Sequence, residues 1–291
     1  MSLGGAESLI KIGCCQLEPR VGRKEENLKK TLRFIEEAAG MGSNIVLLPE
    51  LANTGYVFES RREAFQLSEE VPGGETTSEW MELSRSLGIY VVGGLAERDG
   101  NALYNTSVLL GPDGFLGKYR KLHLWDREKL FFEPGDLGLP VFQAPVGRLS
   151  MCICYDLWFP ETIRILSLRG ADIVLVPTNW VCVEDRVEEG RLVEALCTAQ
   201  AHMNGVFIAA ADRVGVERGQ SFLGRSMILS PRGRIIGGPA SFDNEEIVCA
   251  DLNLTDSRLK KRRTSLNHIL LDRRIDVYEA LLGYDGSRFT F

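Results

Sequence analysis

The segment Leu149 to Glu161 most constrains how this chain can fold. Leu149-Ser-Met-Cys-Ile-Cys154 is an apolar run of strand character that breaks at Tyr155-Asp156. Pro160-Glu161 then opens a helical pattern through Ile163, Ile165, Leu166 and Leu168 to Gly170. Proline suits a first helical turn, where its missing N–H would have no partner, and glycine suits the position just past the last turn. A buried strand that feeds a helix through one short turn is the unit of a layered α/β protein. It also holds Cys154 rigidly at a sheet edge. A cysteine there is either a small core residue or a nucleophile, and this segment alone leaves both open.

The alternation continues along the chain. Leu9 to Gln16 reads as a strand, and Lys24 to Met41 is helical, with apolar residues at Leu28, Leu32, Phe34, Ile35, Ala38 and Ala39 and stops at Gly40 and Gly42. Ile45 to Pro49 is short and wholly apolar, as in a strand covered on both faces. A helix over Thr76 to Leu87 leads to a strand over Tyr90 to Ala96. Tyr104 to Leu110 and Phe115 to Arg120 flank Gly111-Pro-Asp-Gly114, a hairpin turn signal. Leu122 to Leu139 has no steady period and reads as a long loop, which its aromatic residues mark as ordered and functional. Further strands are expected at Val141 to Ala144, Ala171 to Pro177, Val206 to Ala211, Ser221 to Leu229 and Glu245 to Leu252, with a helix over Arg186 to Asn204. No linker divides the 291 residues, which reads as a single α/β domain with mixed sheets.

Composition excludes several function classes. A net charge of -6 argues against a nucleic-acid surface, which needs a basic stripe. The one basic cluster, Lys260 to Arg263, reads as a solvated face. Seven cysteines sit mostly in apolar or helical runs, as reduced thiols do. Without a signal peptide or an 18-residue apolar run, the chain is expected to be cytoplasmic and not membrane-bound. Met1 to Gly5 reads as a loose tail.

Two more positions matter. Leu47-Leu-Pro-Glu-Leu51 puts Glu50 just past a buried strand, and Tyr119-Arg-Lys-Leu-His123 puts Lys121 at the end of another. Each has a plain alternative, a turn cap for Glu50 and an exposed strand-end charge for Lys121. Glu50, Lys121 and Cys154, in that order and in the contexts LLPEL, YRKLHL and CICYDLWFPE, resemble the nitrilase superfamily of carbon–nitrogen hydrolases, from about Ile10 to about Tyr278. The resemblance implies a four-layer α-β-β-α sandwich with two mixed sheets. It makes residues 9–254 the hydrolase domain and residues 255–291 an extended tail packed on a partner subunit of a homodimer or larger homo-oligomer.

It also implies roles. Cys154 would attack the carbonyl and Glu50 would take the thiol proton, its pKa raised by burial. Lys121 would hold the oxyanion and favour the thiolate, and the backbone N–H of Tyr155 would be a second oxyanion donor. The family's amidases carry a second glutamate after the lysine. Glu128 is favoured for that place, with Glu133 as competitor. Pro177-Thr-Asn-Trp180 matches a pocket-edging segment, which makes Asn179 and Trp180 substrate contacts; Trp180 as plain core is the equal alternative. His123, two residues past Lys121, would line the site without acting as base.

Tyr155-Asp156 departs from the Trp-Glu usual in true nitrilases and fits amidases and carbamoyl-amide hydrolases. Leu157 and Trp158 stand where relatives that bind N-carbamoyl-D-amino acids carry arginines. The reading is therefore a small linear amide or N-carbamoyl substrate, neutral or amine-bearing, with nitrile hydrolysis and a catalytically silent scaffold as alternatives. Nothing calls for a cofactor. His123, His202 and His268 lack protease contexts, Cys152-Ile-Cys154 lacks a second zinc pair, and Gly93-Gly94 is no phosphate loop. No synthetase segment follows, so a fused glutaminase is not expected.

Overall fold

Fully buried strands run through the centre of two stacked sheets, and helices cover the outside. The computed structural model describes residues 9–259 and 261–281. In chain order these form β1 (Leu9–Gln16), α1 (Lys24–Gly40), β2 (Ile45–Leu47), α2 (Arg61–Leu67), α3 (Glu75–Leu87), β3 (Tyr90–Asp99), β4 (Ala102–Gly111), β5 (Gly114–Arg120), β6 (Val141–Ala144) and β7 (Gly147–Met151). There follow α4 (Pro160–Leu168), β8 (Ile173–Pro177), β9 (Val181–Cys182), α5 (Arg186–Asn204), β10 (Phe207–Ala211), β11 (Val216–Glu217), β12 (Gln220–Phe222), β13 (Met227–Leu229), β14 (Ile235–Gly237), β15 (Glu246–Asn253), α6 (Thr255–Leu259) and α7 (Ile275–Leu281).

The first large sheet has the order β15-β1-β2-β3-β4-β5 and the second β14-β13-β10-β8-β7-β6. Each has a parallel centre, β1-β2-β3 and β7-β8-β10, with antiparallel strands at its margins. Every residue of β2, β8 and β10 is buried, as strands covered on both faces must be. Ile12, Leu47 and Val92 of the first sheet share one core with Met151, Leu175 and Ala209 of the second. On the outer face of the first sheet, Phe34, Ile35, Ala38 and Trp80 of α1 and α3 pack against Val46, Val91 and Val108. α4 and α5 add Ile163, Leu166, Cys197 and Ala201 on the far side. This is the expected α-β-β-α sandwich in one domain.

Local chemistry sets the helix ends. The side chain of Asp185 caps α5 by accepting from the N–H groups of Val187 and Glu188, and Gly205 ends it at φ 62°. Sequence reading passed over α2, although Ser60 accepts from Glu63 N and the Glu63 carboxylate reaches back to Glu59 N, a pattern close to a capping box.

Four expectations need correction. The run Ser221 to Leu229 is two strands, because Gly224 and Arg225 both take positive φ (69° and 65°). β12 therefore joins the small sheet β11-β12-β9 while β13 joins the second large one. β7 stops at Met151, so Cys154 lies not at a strand end but on a 3-10 turn over Cys154–Trp158. In the basic cluster, Arg262 is exposed as expected, but Lys261 is buried and the Arg263 guanidinium donates to the His202 carbonyl, so the cluster is only partly a solvated face. Met1 to Gly5, Lys260 and the last ten residues of the tail lie outside the described residues. The rest of the tail holds two short helices and is not simply extended.

Candidate active site

The site gathers at the carboxyl ends of strands from both large sheets. Glu50 follows β2, Lys121 follows β5, Cys154 lies three residues past β7, and Thr178 and Asn179 follow β8. Carboxyl ends of parallel strands are where open α/β sheets leave a crevice. The two sheets are tied together here: Asn179 Nδ2 donates to the backbone carbonyl of Glu50 at 2.9 Å. β3 brackets the Glu50 turn, with Gly94 N donating to Pro49 O at 3.0 Å and Ala52 N to Gly94 O at 2.8 Å. Only glycine permits that approach, since a Cβ at Gly94 would stand 2.5 Å from Glu50 Cα.

Glu50, Lys121 and Glu128 form one buried ion cluster. Lys121 Nζ donates to Glu50 Oε1 at 2.6 Å and to Glu128 Oε1 at 2.7 Å. Two of its three protons are thus engaged and the third is left over. Asn105 Nδ2 also donates to Glu50 Oε1, at 2.6 Å, whereas Glu50 Oε2 is buried with no partner. Burial pushes the Glu50 carboxyl up to about 7 against the pull of Lys121, with the Glu128 charge adding to the rise. Burial disfavours the Lys121 ammonium, but Glu128 and Glu50 outweigh it and hold the amine protonated above the ordinary lysine range.

Cys154 is buried within electrostatic reach of all three. Burial, then the Glu50 charge, push its thiol well above the usual range. Lys121 and the backbone N–H of Asn179 pull the other way and lose. Lys121 thus favours the thiolate, as expected, but burial and the Glu50 charge outweigh it and leave a protonated thiol beside a carboxylate able to take its proton.

The Cys154 turn is anchored by Asp156, which sequence reading noted only as part of a motif. Its buried carboxylate accepts from Ile153 N at 2.9 Å, Tyr119 Oη at 2.7 Å and His123 N at 3.0 Å, and contacts His123 Nδ1 at 2.7 Å. His123 stacks on Phe159, 3.6 Å between centroids, so it braces the turn rather than lining the cavity. Cys154 (φ 45°), Leu51 beside Glu50 (φ 48°) and Asp126 near Glu128 (φ 40°) all take the left-handed region. Such residues cost about 1–3 kcal/mol each and gather where function fixes the backbone.

Beside Cys154 lies a cavity of about 130 Å³, walled by Trp125, Tyr155, Trp158, Asn179, Trp180 and aliphatic residues of β9, α5 and the chain after β12. Tyr155, Trp158, Asn179 and Trp180 thus all border it, and Trp180 is also core. Leu157 does not; it is buried in the core. Glu133 is half-exposed and paired with Arg61 at 3.2 Å, so Glu128 alone of the two belongs to the cluster. Arg213 and Arg225 are engaged elsewhere, with Glu217 and Glu194. Sequence reading missed Tyr56, whose hydroxyl donates to Glu128 Oε1 at 2.7 Å, and Asn105. An asparagine inside the apolar run of β4 was the available signal for the second; the sequence around Tyr56 carries none for the first.

A double sandwich with a buried Glu–Lys–Glu cluster and a buried cysteine on the turn after β7 defines a class, and comparison with known proteins names it. The family described as carbon-nitrogen hydrolase matches residues 11–262, and this chain belongs to it. A nitrilase of Pyrococcus abyssi is 42% identical over 271 residues, 93% of this chain and 99% of that protein. An N-carbamoylputrescine amidase of Oryza sativa subsp. japonica is 31% identical over 301 residues, 98% of each. Among solved structures, the acrylamide complex of a double mutant of the Nesterenkonia sp. amidase superposes with TM-score 0.77 at 27% identity, over 96% of this chain and all (100%) of that one. A carbon-nitrogen hydrolase from Helicobacter pylori gives 0.82 at 28%, over 95% and 99%.

Proposed function

We propose that this chain hydrolyses a non-peptide C–N bond of a small linear amide or N-carbamoyl compound through a thioester on Cys154. The observation that carries the reading is the unpartnered Glu50 Oε2, on a carboxyl poised near neutrality, beside a thiol held protonated. As Cys154 Sγ attacks the carbonyl carbon, Glu50 takes the thiol proton. The oxyanion receives the remaining N–H of Lys121 and the backbone N–H of Tyr155. Glu50 returns the proton to the departing nitrogen, the C–N bond breaks and a thioester remains. Water, losing a proton to Glu50, then cleaves the thioester to the acid, and the proton goes back to sulfur. Glu128 orients the substrate amide and that water. A glutamine-for-glutamate mutant of the Nesterenkonia sp. amidase, which shows Michael addition of acrylamide at its active-site cysteine, supports the choice of nucleophile.

Nitrile hydrolysis is the second reading, favoured by the 42% identity to a protein named nitrilase. Ammonia release from matched nitriles, primary amides and carbamoyl compounds separates the two. No thiol-dependent release from any of them would leave the silent scaffold.

The cavity wall contains no lysine or arginine among the described residues; its one charged group is Glu189. A substrate carboxylate would enter without a counter-ion. We expect kcat/KM for a short aliphatic amide to exceed that of its ω-carboxylated analogue by at least tenfold, ~1.4 kcal/mol in the transition state. A better rate with the acidic partner would overturn this reading.

We also infer a homodimer or larger assembly within the cytoplasm. Leu266, Leu271 and Ile275 of the tail stand exposed, at 89%, 79% and 54%. Light scattering is expected to give at least twice the chain mass of 32.4 kDa, and a stable monomer would contradict it.

A further inference from the structure

Two carboxylates share one ammonium in the cluster, and their surroundings differ. Glu128 accepts from Lys121 and from Tyr56 Oη on Oε1, and from Trp125 N on Oε2 at 3.3 Å. Glu50 accepts only on Oε1, and Oε2 is bare. We infer that Tyr56 is a positioning residue whose phenol, with Lys121 and Trp125 N, supplies Glu128 with its donors and so leaves Glu50, with its bare oxygen, as the carboxylate that takes up the proton.

Tyr56 is built for this. Burial, with the charges of Glu128, Glu50 and Cys154, keeps its hydroxyl protonated and thus a permanent donor. Its backbone is clamped from the far side, where Glu217 Oε2 accepts from Tyr56 N and Val57 N, each at 2.7 Å, and Oε1 from Val21 N at 2.8 Å. Arg213 holds Glu217 at 3.1 Å and lies over Phe222, whose ring meets Tyr56 edge to face at 5.8 Å. Gly55 permits the close approach to Val21 (φ 81°; a Cβ would stand 2.4 Å from Val21 N). Tyr56 and Glu128 line a cavity of about 70 Å³ that shares Trp125 and Val181 with the cavity at Cys154. The charged and titratable groups facing the pair are Lys121, Cys154 and Tyr56, with Asp212 beyond Glu50.

The inference rests on Glu50 as the base, and the test uses alkylation of Cys154 by iodoacetamide, which needs no turnover. Wild type is expected to lose alkylation rate as pH falls through about 7, because the proton lodges on Glu50. In Tyr56→Phe, Glu128 loses that donor and Glu50 is no longer the one carboxylate with room for the proton, so the fraction of the neutral-pH rate surviving at pH 5.5 rises, up to about tenfold for one lost hydrogen bond to a charged group. Glu217→Gln, which loosens the clamp and keeps the phenol, moves the profile the same way by less. In a Glu128→Gln background Tyr56→Phe has no further effect. A normalised Tyr56→Phe profile that superimposes on wild type, or an equal rise in the Glu128→Gln background, overturns the role of Tyr56. A wild-type profile without an acid limb overturns the base assignment itself.

Discussion

Cys154→Ala is expected to remove turnover by ~10⁶-fold, the scale on which a covalent mechanism loses its nucleophile. The fold should survive, because the substitution removes one sulfur from a turn that Asp156 holds through Ile153 N, Tyr119 and His123. The paired measurement is mass spectrometry of wild type with a slow amide, which should show one acyl group on Cys154. Cys14, Cys15, Cys152 and Cys197 are buried with thiols pushed upward, and none of them lines the cavity at Cys154. An adduct on any of them, or turnover by the alanine variant, would remove Cys154 from the mechanism.

Glu50→Gln and Lys121→Ala should each lose ~10²–10⁴-fold or more in kcat/KM. The double variant should be scarcely worse, since the groups act as a unit; multiplication of the two losses would speak against a shared site. In wild type kcat/KM should fall on the acid side through about 7. The sign follows from burial, which raises the Glu50 carboxyl, so the base is lost by protonation as pH drops. Glu50→Gln should abolish that limb. Lys121→Ala leaves two buried carboxylates facing each other without a cation, so melting temperature must be followed alongside rate. His123→Ala is the contrast. Its ring braces Asp156 and Phe159 without reaching the cluster, so its loss should be much milder.

The layers were legible because their signals are local. A wholly apolar β2 announces burial on both faces, and the pattern of α1 announces one covered face. The cluster was legible for a different reason: Glu50, Lys121 and Cys154 each stand in a run of fixed character just beyond strand residues. What stayed hidden depends on partners distant in sequence. Tyr56 matters through Glu128, 72 residues on, and through Glu217, 161 residues on. The resting state of the Cys154 thiol stayed hidden because a lysine is visible in a motif, whereas burial beside a second charge is not. The break in Ser221 to Leu229 arises from backbone angles at Gly224 and Arg225, and apolar patterning carries no trace of an arginine at positive φ.

The chain carries 4 tryptophans, and Trp125, Trp158 and Trp180 all border the cavity at Cys154. The fourth, Trp80, is sealed in the outer layer with its indole N–H donating to Thr31. The intrinsic emission of the protein is therefore concentrated on the reacting centre, with one shielded indole as an internal constant. Occupation of the cavity, and the acylation proposed for Cys154, are expected to change the emission of unlabelled protein in real time, even for substrates whose products absorb no light.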